Sequence, residues 1–160
     1  MSFSSLGLHQ QLVTTITDLG YSEPTPIQSA AVPEILKGHD IMARAQTGTG
    51  KTAAFALPLI HNIQESYKIQ SPLSSGEQSP KQLQTLVLTP TRELAQQVHN
   101  SFVKYGDKTE LESAIVYGGV SINPQLETLK NGVDILVATP GRLLDLIFRK
   151  AIDLCQIKHI

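Results

Sequence analysis

The apolar positions along the chain switch between two periods. Short runs rich in Val, Ile and Leu stand at Asp40–Ala45, Gln84–Leu88, Ser113–Tyr117 and Asp134–Ala138. Each is apolar at successive positions, the pattern of a strand covered on both faces. Longer segments with apolar residues at helical spacing follow them: Gly50–Ile63, Thr91–Tyr105, Ser121–Lys130 and Pro140–Phe148. Strand and helix in alternation predict a parallel α/β sheet covered by helices on both faces, with right-handed crossovers. Two more helices precede the first run. Leu8, Leu12, Val13, Ile16 and Leu19 form the stripe of one, stopped by Gly20. The other runs from Ile27 to Leu36, between Thr25-Pro26 and Gly38.

Two segments break the alternation. Ser66–Lys81 holds five Ser, two Pro and one Gly and predicts a flexible surface insertion. Ile157–Ile160 reads as the opening of one more strand, which predicts that these 160 residues are part of a larger domain.

Composition narrows the class. With 41% hydrophobic residues the chain can build an ordinary core, which excludes a disordered tail, a collagen and a coiled coil. The single cysteine, Cys155, excludes a disulfide framework and a cysteine-based zinc site. A net charge of −1 disfavours a broad basic surface for nucleic acid but not a few well-placed cations. The N-terminus lacks the blocks of a signal peptide, and no apolar run nears the ~20 residues of a membrane span. A cytoplasmic protein is expected, with no membrane partner.

The strongest chemical signal is Ala45-Gln46-Thr47-Gly48-Thr49-Gly50-Lys51-Thr52, placed between a predicted strand and a predicted helix. That context suits a phosphate-binding loop. Gly48 and Gly50 let the backbone curl so that successive N–H groups point into one cavity, and the helix N-terminus adds partial positive charge. Lys51 supplies a point charge for the β- and γ-phosphates, and the Thr52 hydroxyl suits Mg²⁺. Ala45 stands where the first glycine of such loops usually does. A glycine-rich turn with a helix cap is the plainer reading, and the strand–loop–helix context favours a nucleotide site.

Two segments echo one another. Thr89-Pro90-Thr91-Arg92 and Thr139-Pro140-Gly141-Arg142 each lead from a strand into a helix, with a hydroxyl, free N–H groups and a guanidinium at the strand's carboxyl end. They read either as helix caps, since Thr before Pro is a common helix start, or as cups for a sugar-phosphate backbone. Upstream, Thr25-x-x-Gln28 reads as a capping box. Its amide also carries a donor and an acceptor, as adenine recognition requires. Gly118-Gly119 reads as a bare turn or as a close approach of backbone to ligand.

In this order the motifs resemble those of DEAD-box RNA helicases, in their first RecA-like domain and specifically the bacterial RhlE-like group. The matching elements are Phe3, Gly20–Gln28, Ala45–Thr52, Pro90-Thr91-Arg92-Glu93-Leu94-Ala95, Gly118-Gly119 and Thr139–Arg142. The resemblance implies that Phe3, Tyr21 and Gln28 form the adenine-recognising Q motif, with Tyr21 packing on the base. It makes Ala45–Thr52 the ATP-binding Walker A loop. It implies that Pro90, Thr91, Arg92, Glu93, Gly118, Gly119, Thr139, Pro140, Gly141 and Arg142 hold single-stranded RNA by its backbone. Residues 1–38 would be N-terminal helices carrying the Q motif, and 39–160 an incomplete RecA-like domain. The Asp-Glu-Ala-Asp sequence itself is absent from these residues and is expected just after Ile160. A second RecA-like domain bearing arginine fingers is expected beyond it. The chain should therefore bind ATP with Mg²⁺, and RNA, without turning ATP over. Two other classes carry the same loop: a DNA-translocating or protein-remodelling ATPase, and a non-catalytic nucleotide-binding module.

Overall fold

The computed structural model describes residues 2–70 and 81–160. A 3-10 turn at Phe3–Leu6 leads into helices α1 (Gln10–Asp18), α2 (Pro26–Leu36) and α3 (Lys51–Gln70). Then follow β1 (Thr85–Leu88), α4 (Arg92–Tyr105), β2 (Ser113–Val116), α5 (Asn123–Lys130), β3 (Ile135–Ala138) and α6 (Pro140–Phe148). The chain forms two compact units, Met1–Gln70 with Ser101–Glu110, and Ser71–Asn100 with Leu111–Ile160. The division falls within α4, and α2 packs along α3 inside the first unit.

The first unit is helical. Leu12 and Ile16 of α1, Val32 of α2 and Leu57, Ile60 and Ile63 of α3 are buried, and Phe55 meets Phe102 with ring centroids 6.2 Å apart. Each such side chain contributes on the order of 1.5–3 kcal/mol by leaving water. Gly20 and Gly38, at φ +89° and +81°, stop α1 and α2 as the pattern predicts. His9 at the start of α1 stacks on His61 of α3, with centroids 3.9 Å apart and planes 20° from parallel. Its backbone N–H donates to His61 Nδ1 (3.1 Å). Its Nε2 stands 2.7 Å from Glu65 Oε1, at ion-pair distance though off the hydrogen-bond line.

The second unit holds the sheet. Three parallel strands run in the order β1-β3-β2, with Leu88, Ala138 and Val116 in register at their carboxyl ends. All four β3 residues are buried, as expected of a strand covered on both faces. Leu143 and Leu146 of α6 pack with Leu86, Ala114, Val116, Leu136 and Ala138 on one face. On the other face His99 of α4 reaches Ser113 (3.2 Å). At the amino edge the buried Asp134 accepts the Glu112 N–H (2.8 Å) and the Lys81 ammonium (3.2 Å). The parallel α/β sheet with helices on both faces is thus present.

Three expectations change. Asp40–Ala45 is not a strand: the described strands all lie in the second unit, so this run has no ladder partner in its own, and Ile41 and Met42 are exposed. Ser66–Gln70, read as part of an insertion, are the last turn of α3. Ser66 Oγ donates to the Ile63 carbonyl (2.9 Å) and Lys68 pairs with Glu65 (3.0 Å), which favours one more helical turn over the local Ser content. Residues 71–80 of the insertion lie outside the described residues, and Lys81, its last, is the partner of Asp134. Where a strand is expected, at Ile157–Ile160, the structure has one isolated bridge and no strand. Thr85 and His159 form a parallel bridge along the edge of β1 away from β3, and Leu86 N–H donates to the His159 carbonyl (3.0 Å).

Candidate functional site

The loop before α3 turns at Gly48 and Gly50, at φ +83° and +82°, the left-handed region glycine enters without strain. Among the described residues, no backbone N–H from Thr47 to Ala53 has a partner within the protein. These donors gather at the N-terminus of a 20-residue helix, where its dipole adds positive potential. Lys51 lies back across the loop, its ammonium donating to the carbonyls of Ala45 (2.5 Å) and Gln46 (2.9 Å). The Thr52 hydroxyl has no protein partner among the described residues.

The start of α2 holds this loop. Gln28 is buried, 1% exposed, and its amide works at both ends. Its oxygen accepts the Thr25 N–H (3.0 Å), the capping bond read from the sequence, while its nitrogen donates to the Gly50 carbonyl (3.2 Å). Thr25 Oγ1 donates to the Thr49 carbonyl (2.8 Å). A Cβ placed on Gly50 would collide with Gln28 Nε2 and come within 3.5 Å of Thr25 Oγ1. Close approach therefore demands glycine there, in addition to φ. Tyr21 is half-buried, with the buried Phe3 edge-on against it at 6.5 Å between centroids.

In the second unit the three turns after β1, β2 and β3 emerge side by side from the carboxyl edge. Thr89 N–H donates to the Ala138 carbonyl (3.0 Å), and Thr139 N–H to that of Val116 (3.1 Å). The two Thr-Pro segments differ in detail. Thr139 is the N-cap of α6 with Pro140 in the first turn, but its hydroxyl makes no capping bond. After β1 the helix starts later: Thr91 is the capping residue, its Oγ1 accepting the Leu94 N–H (3.2 Å), and Pro90 precedes it. Arg92 and Glu93 in one turn, and Gly141 and Arg142 in the other, present backbone N–H groups without protein partners among the described residues.

The two arginines are held differently. The Arg92 guanidinium lies 4.9 Å from the centre of the Tyr117 ring, a cation–π seat, and its N–H donors have no protein partner among the described residues. Arg142 donates to Gln125 Oε1 (2.8 Å) and to the Val120 carbonyl (2.8 Å), and Gln125 Nε2 donates to the Tyr117 carbonyl (3.2 Å). Arg142 therefore fixes the Gly118-Gly119 turn through α5. Gly119 needs its φ of +83°, but Gly118 and Gly141 have no positive φ, and a Cβ on either would meet nothing within 4 Å. Sequence reasoning missed Tyr117 and Gln125. An aromatic beside the glycine pair was the available signal for the first; nothing marked the second.

Each group of predicted residues thus assembles within one unit: Phe3 with Tyr21, and Gln28 with the loop, in the first, and the strand-end turns in the second. A family model described as "DEAD/DEAH box helicase" matches residues 25–160. The chain belongs to that family. Among its relatives, the DEAD-box ATP-dependent RNA helicase RhpA of Helicobacter pylori (strain B128) is 43% identical over 144 residues, covering 90% of this chain and 26% of that protein. The ATP-dependent RNA helicase DeaD of Buchnera aphidicola subsp. Baizongia pistaciae is 44% identical, covering 100% and 25%. The RNA helicase CrhR of Synechocystis is 44% identical, covering 99% and 30%. Among solved structures, a hypothetical ATP-dependent RNA helicase from Sulfolobus tokodaii superposes with a TM-score of 0.77 at 35% identity, over 93% of this chain and 39% of that one. This helicase-family chain thus spans under a third of the length of the curated relatives it matches, and its fold is that of a RecA-like domain. No helix among the described residues is long and apolar enough to cross a membrane.

Proposed function

We propose that this chain is the ATP- and RNA-binding first domain of an ATP-dependent RNA helicase, and that these residues bind nucleotide without turning it over. The observation that carries the reading is the run of unpartnered N–H groups from Thr47 to Ala53 at the start of α3. Such a run is a ready receptor for phosphate oxygens. Lys51 exchanges its loop carbonyls for the β- and γ-phosphates. The free Thr52 hydroxyl and the phosphate oxygens are hard donors that fit Mg²⁺, which when bound neutralises charge on the β- and γ-oxygens. Gln28 reads adenine with its remaining donor and acceptor, and Tyr21 packs on the base.

Single-stranded RNA lies along the carboxyl edge of the sheet. Thr91, Arg92, Glu93, Thr139 and Arg142 offer N–H groups, hydroxyls and guanidinium donors there, with Pro90 and Pro140 fixing the turns. Gly118 and Gly141 support this reading, because the fold demands glycine at neither position, whereas a closely approaching backbone does. Contacts of this kind position RNA without reading its bases. In the parent protein a second RecA-like domain closes on both ligands and supplies the cations for hydrolysis.

Equilibrium binding of ATP and ADP with Mg²⁺, beside phosphate release with and without RNA, tests the reading. Nucleotide should bind, Lys51→Ala should weaken it more than tenfold, and no RNA-stimulated release should appear. Steady RNA-stimulated release that Lys51→Ala abolishes would overturn the half-site reading. Binding to single-stranded DNA without binding to RNA would favour a DNA-translocating ATPase instead.

A further inference from the structure

Tyr105 ends α4 and belongs to no motif read from the sequence. Its side chain is buried, 4% exposed, and its hydroxyl meets that of Tyr21 at 3.0 Å. The two rings stand edge to face, with centroids 6.0 Å apart and planes at 82°. Phe3 takes the same attitude to Tyr21, at 74° between planes. The Lys104 ammonium, one residue before Tyr105, lies 5.7 Å from the centre of the Tyr21 ring. Burial first, and then the hydrogen bond to Tyr21, hold the Tyr105 phenol above its ordinary pKa, so it stays protonated across the working range. All of these groups share a compact unit with the loop at Ala45–Thr52.

A tyrosine side chain has two torsions that set its ring plane. Tyr21 is constrained in both: Phe3 and Tyr105 press on the ring, and the hydroxyl tip is tied. A base stacks well only on a ring held at a fixed tilt and offset, because an aromatic contact depends on geometry as well as area. A ring already immobilised also avoids losing rotamer freedom when ligand arrives.

We propose that Tyr105 is a positioning residue for adenine recognition, its hydroxyl fixing the plane of the Tyr21 ring on which the base packs. This rests on the reading of Tyr21 as the adenine-packing side chain.

The test uses the 160-residue chain and two probes, ADP with Mg²⁺ and inorganic triphosphate, which has no base. Tyr105→Phe removes the hydroxyl and keeps the ring. ADP affinity should fall about two- to tenfold, the cost of immobilising on binding a side chain that the hydroxyl no longer holds. Triphosphate affinity should not change. Tyr21→Phe removes the other end of the same bond, so the double variant should bind ADP no more weakly than the worse single variant. Equal losses for ADP and triphosphate would make Tyr105 a support of the fold alone, and additive losses in the double variant would exclude action through the shared bond. Tyr21→Ala separates the two readings. If it weakens ADP while Tyr105→Phe does not, the positioning role alone fails. If it leaves ADP binding unchanged, the packing role of Tyr21 fails and the inference falls with it.

Discussion

The phosphate loop and the carboxyl edge of the sheet both offer backbone N–H groups at the start of helices, yet they are held in place by opposite means. At the edge, parallel ladders with Leu88, Ala138 and Val116 in register fix where each turn begins. The backbone N–H groups of Arg92, Glu93, Gly141 and Arg142 are then left without protein partners among the described residues. Beneath the loop there is no ladder, because Asp40–Ala45 forms no strand. Two buried or half-buried polar side chains at the start of α2, Gln28 and Thr25, hold the loop carbonyls instead. A loop held by a few side-chain bonds is sensitive to single atoms, whereas turns set by a ladder tolerate side-chain loss except where, as at Gly118-Gly119, Arg142 braces them.

The loop's glycines give the sharpest break of that comparison. Gly50→Ala combines left-handed strain, about 1–2 kcal/mol, with a collision that displaces the Gln28 amide, about 1–3 kcal/mol for a buried hydrogen bond. Gly48→Ala carries the strain without the collision, since a Cβ there meets nothing within 4 Å. In chemical denaturation Gly50→Ala should therefore cost about 2–5 kcal/mol and Gly48→Ala about 1–2 kcal/mol. Similar losses for both would mean that the clamp from α2 contributes little.

The edge should behave differently at its two arginines. Arg142→Ala removes two hydrogen bonds and frees the turn at Gly118, so it should destabilise the fold by about 1–3 kcal/mol. Arg92→Ala removes an exposed cation–π seat worth about 0.5–1 kcal/mol. In a complete parent protein both should lower RNA affinity evenly across sequences. Each should flatten its log–log salt dependence by roughly 0.7 for every phosphate no longer neutralised. If Arg142→Ala keeps the wild-type salt slope while losing stability, Arg142 braces the turn and does not touch RNA.

The same contrast explains what was legible in the sequence. β3 was readable because a doubly covered strand writes its burial as a continuous apolar run, and β1 and β2, only partly covered, because short Val-, Ile- and Leu-rich runs stand between helical segments. Asp40–Ala45 carries that run too, and failed as a strand because pairing depends on a partner that local pattern does not encode. The end of α3 is hidden because Ser66 and Ser71 resemble loop composition, while the Glu65–Lys68 pair that continues the helix is a weak signal. Thr25-x-x-Gln28 was legible as a capping box. The second bond of Gln28, to Gly50, was not, because it joins positions 22 residues apart. Tyr105 and Gln125 were invisible for the same reason: each matters through a partner distant in sequence.

The smallest expected effect lies in the first unit, away from the loop, and tests whether its packing titrates. His61 and His9 are both held below the ordinary histidine pKa, chiefly by burial. A protonated neighbouring ring lowers His61 further, Lys68 lowers both, and Glu65 opposes the shift. The folded chain therefore keeps these rings neutral at a pH where the unfolded chain has begun to protonate them. More protons on the unfolded state means that stability rises with pH. The contribution is complete above about pH 6.5, the ordinary value, and is lost as pH falls through the depressed folded-state values. His61→Gln keeps an acceptor for the His9 N–H and removes one titrating ring, so its stability should decline less steeply from about pH 6.5 to 5. Glu65→Gln removes the carboxylate that favours charged histidine and should make the decline steeper. His159, also held low by burial, titrates alike in all three proteins and cancels from the comparison. Urea unfolding at half-unit pH steps gives the slopes. Parallel curves for wild type and His61→Gln would show that the stacked pair opens before it protonates and places no pH-dependent load on the fold.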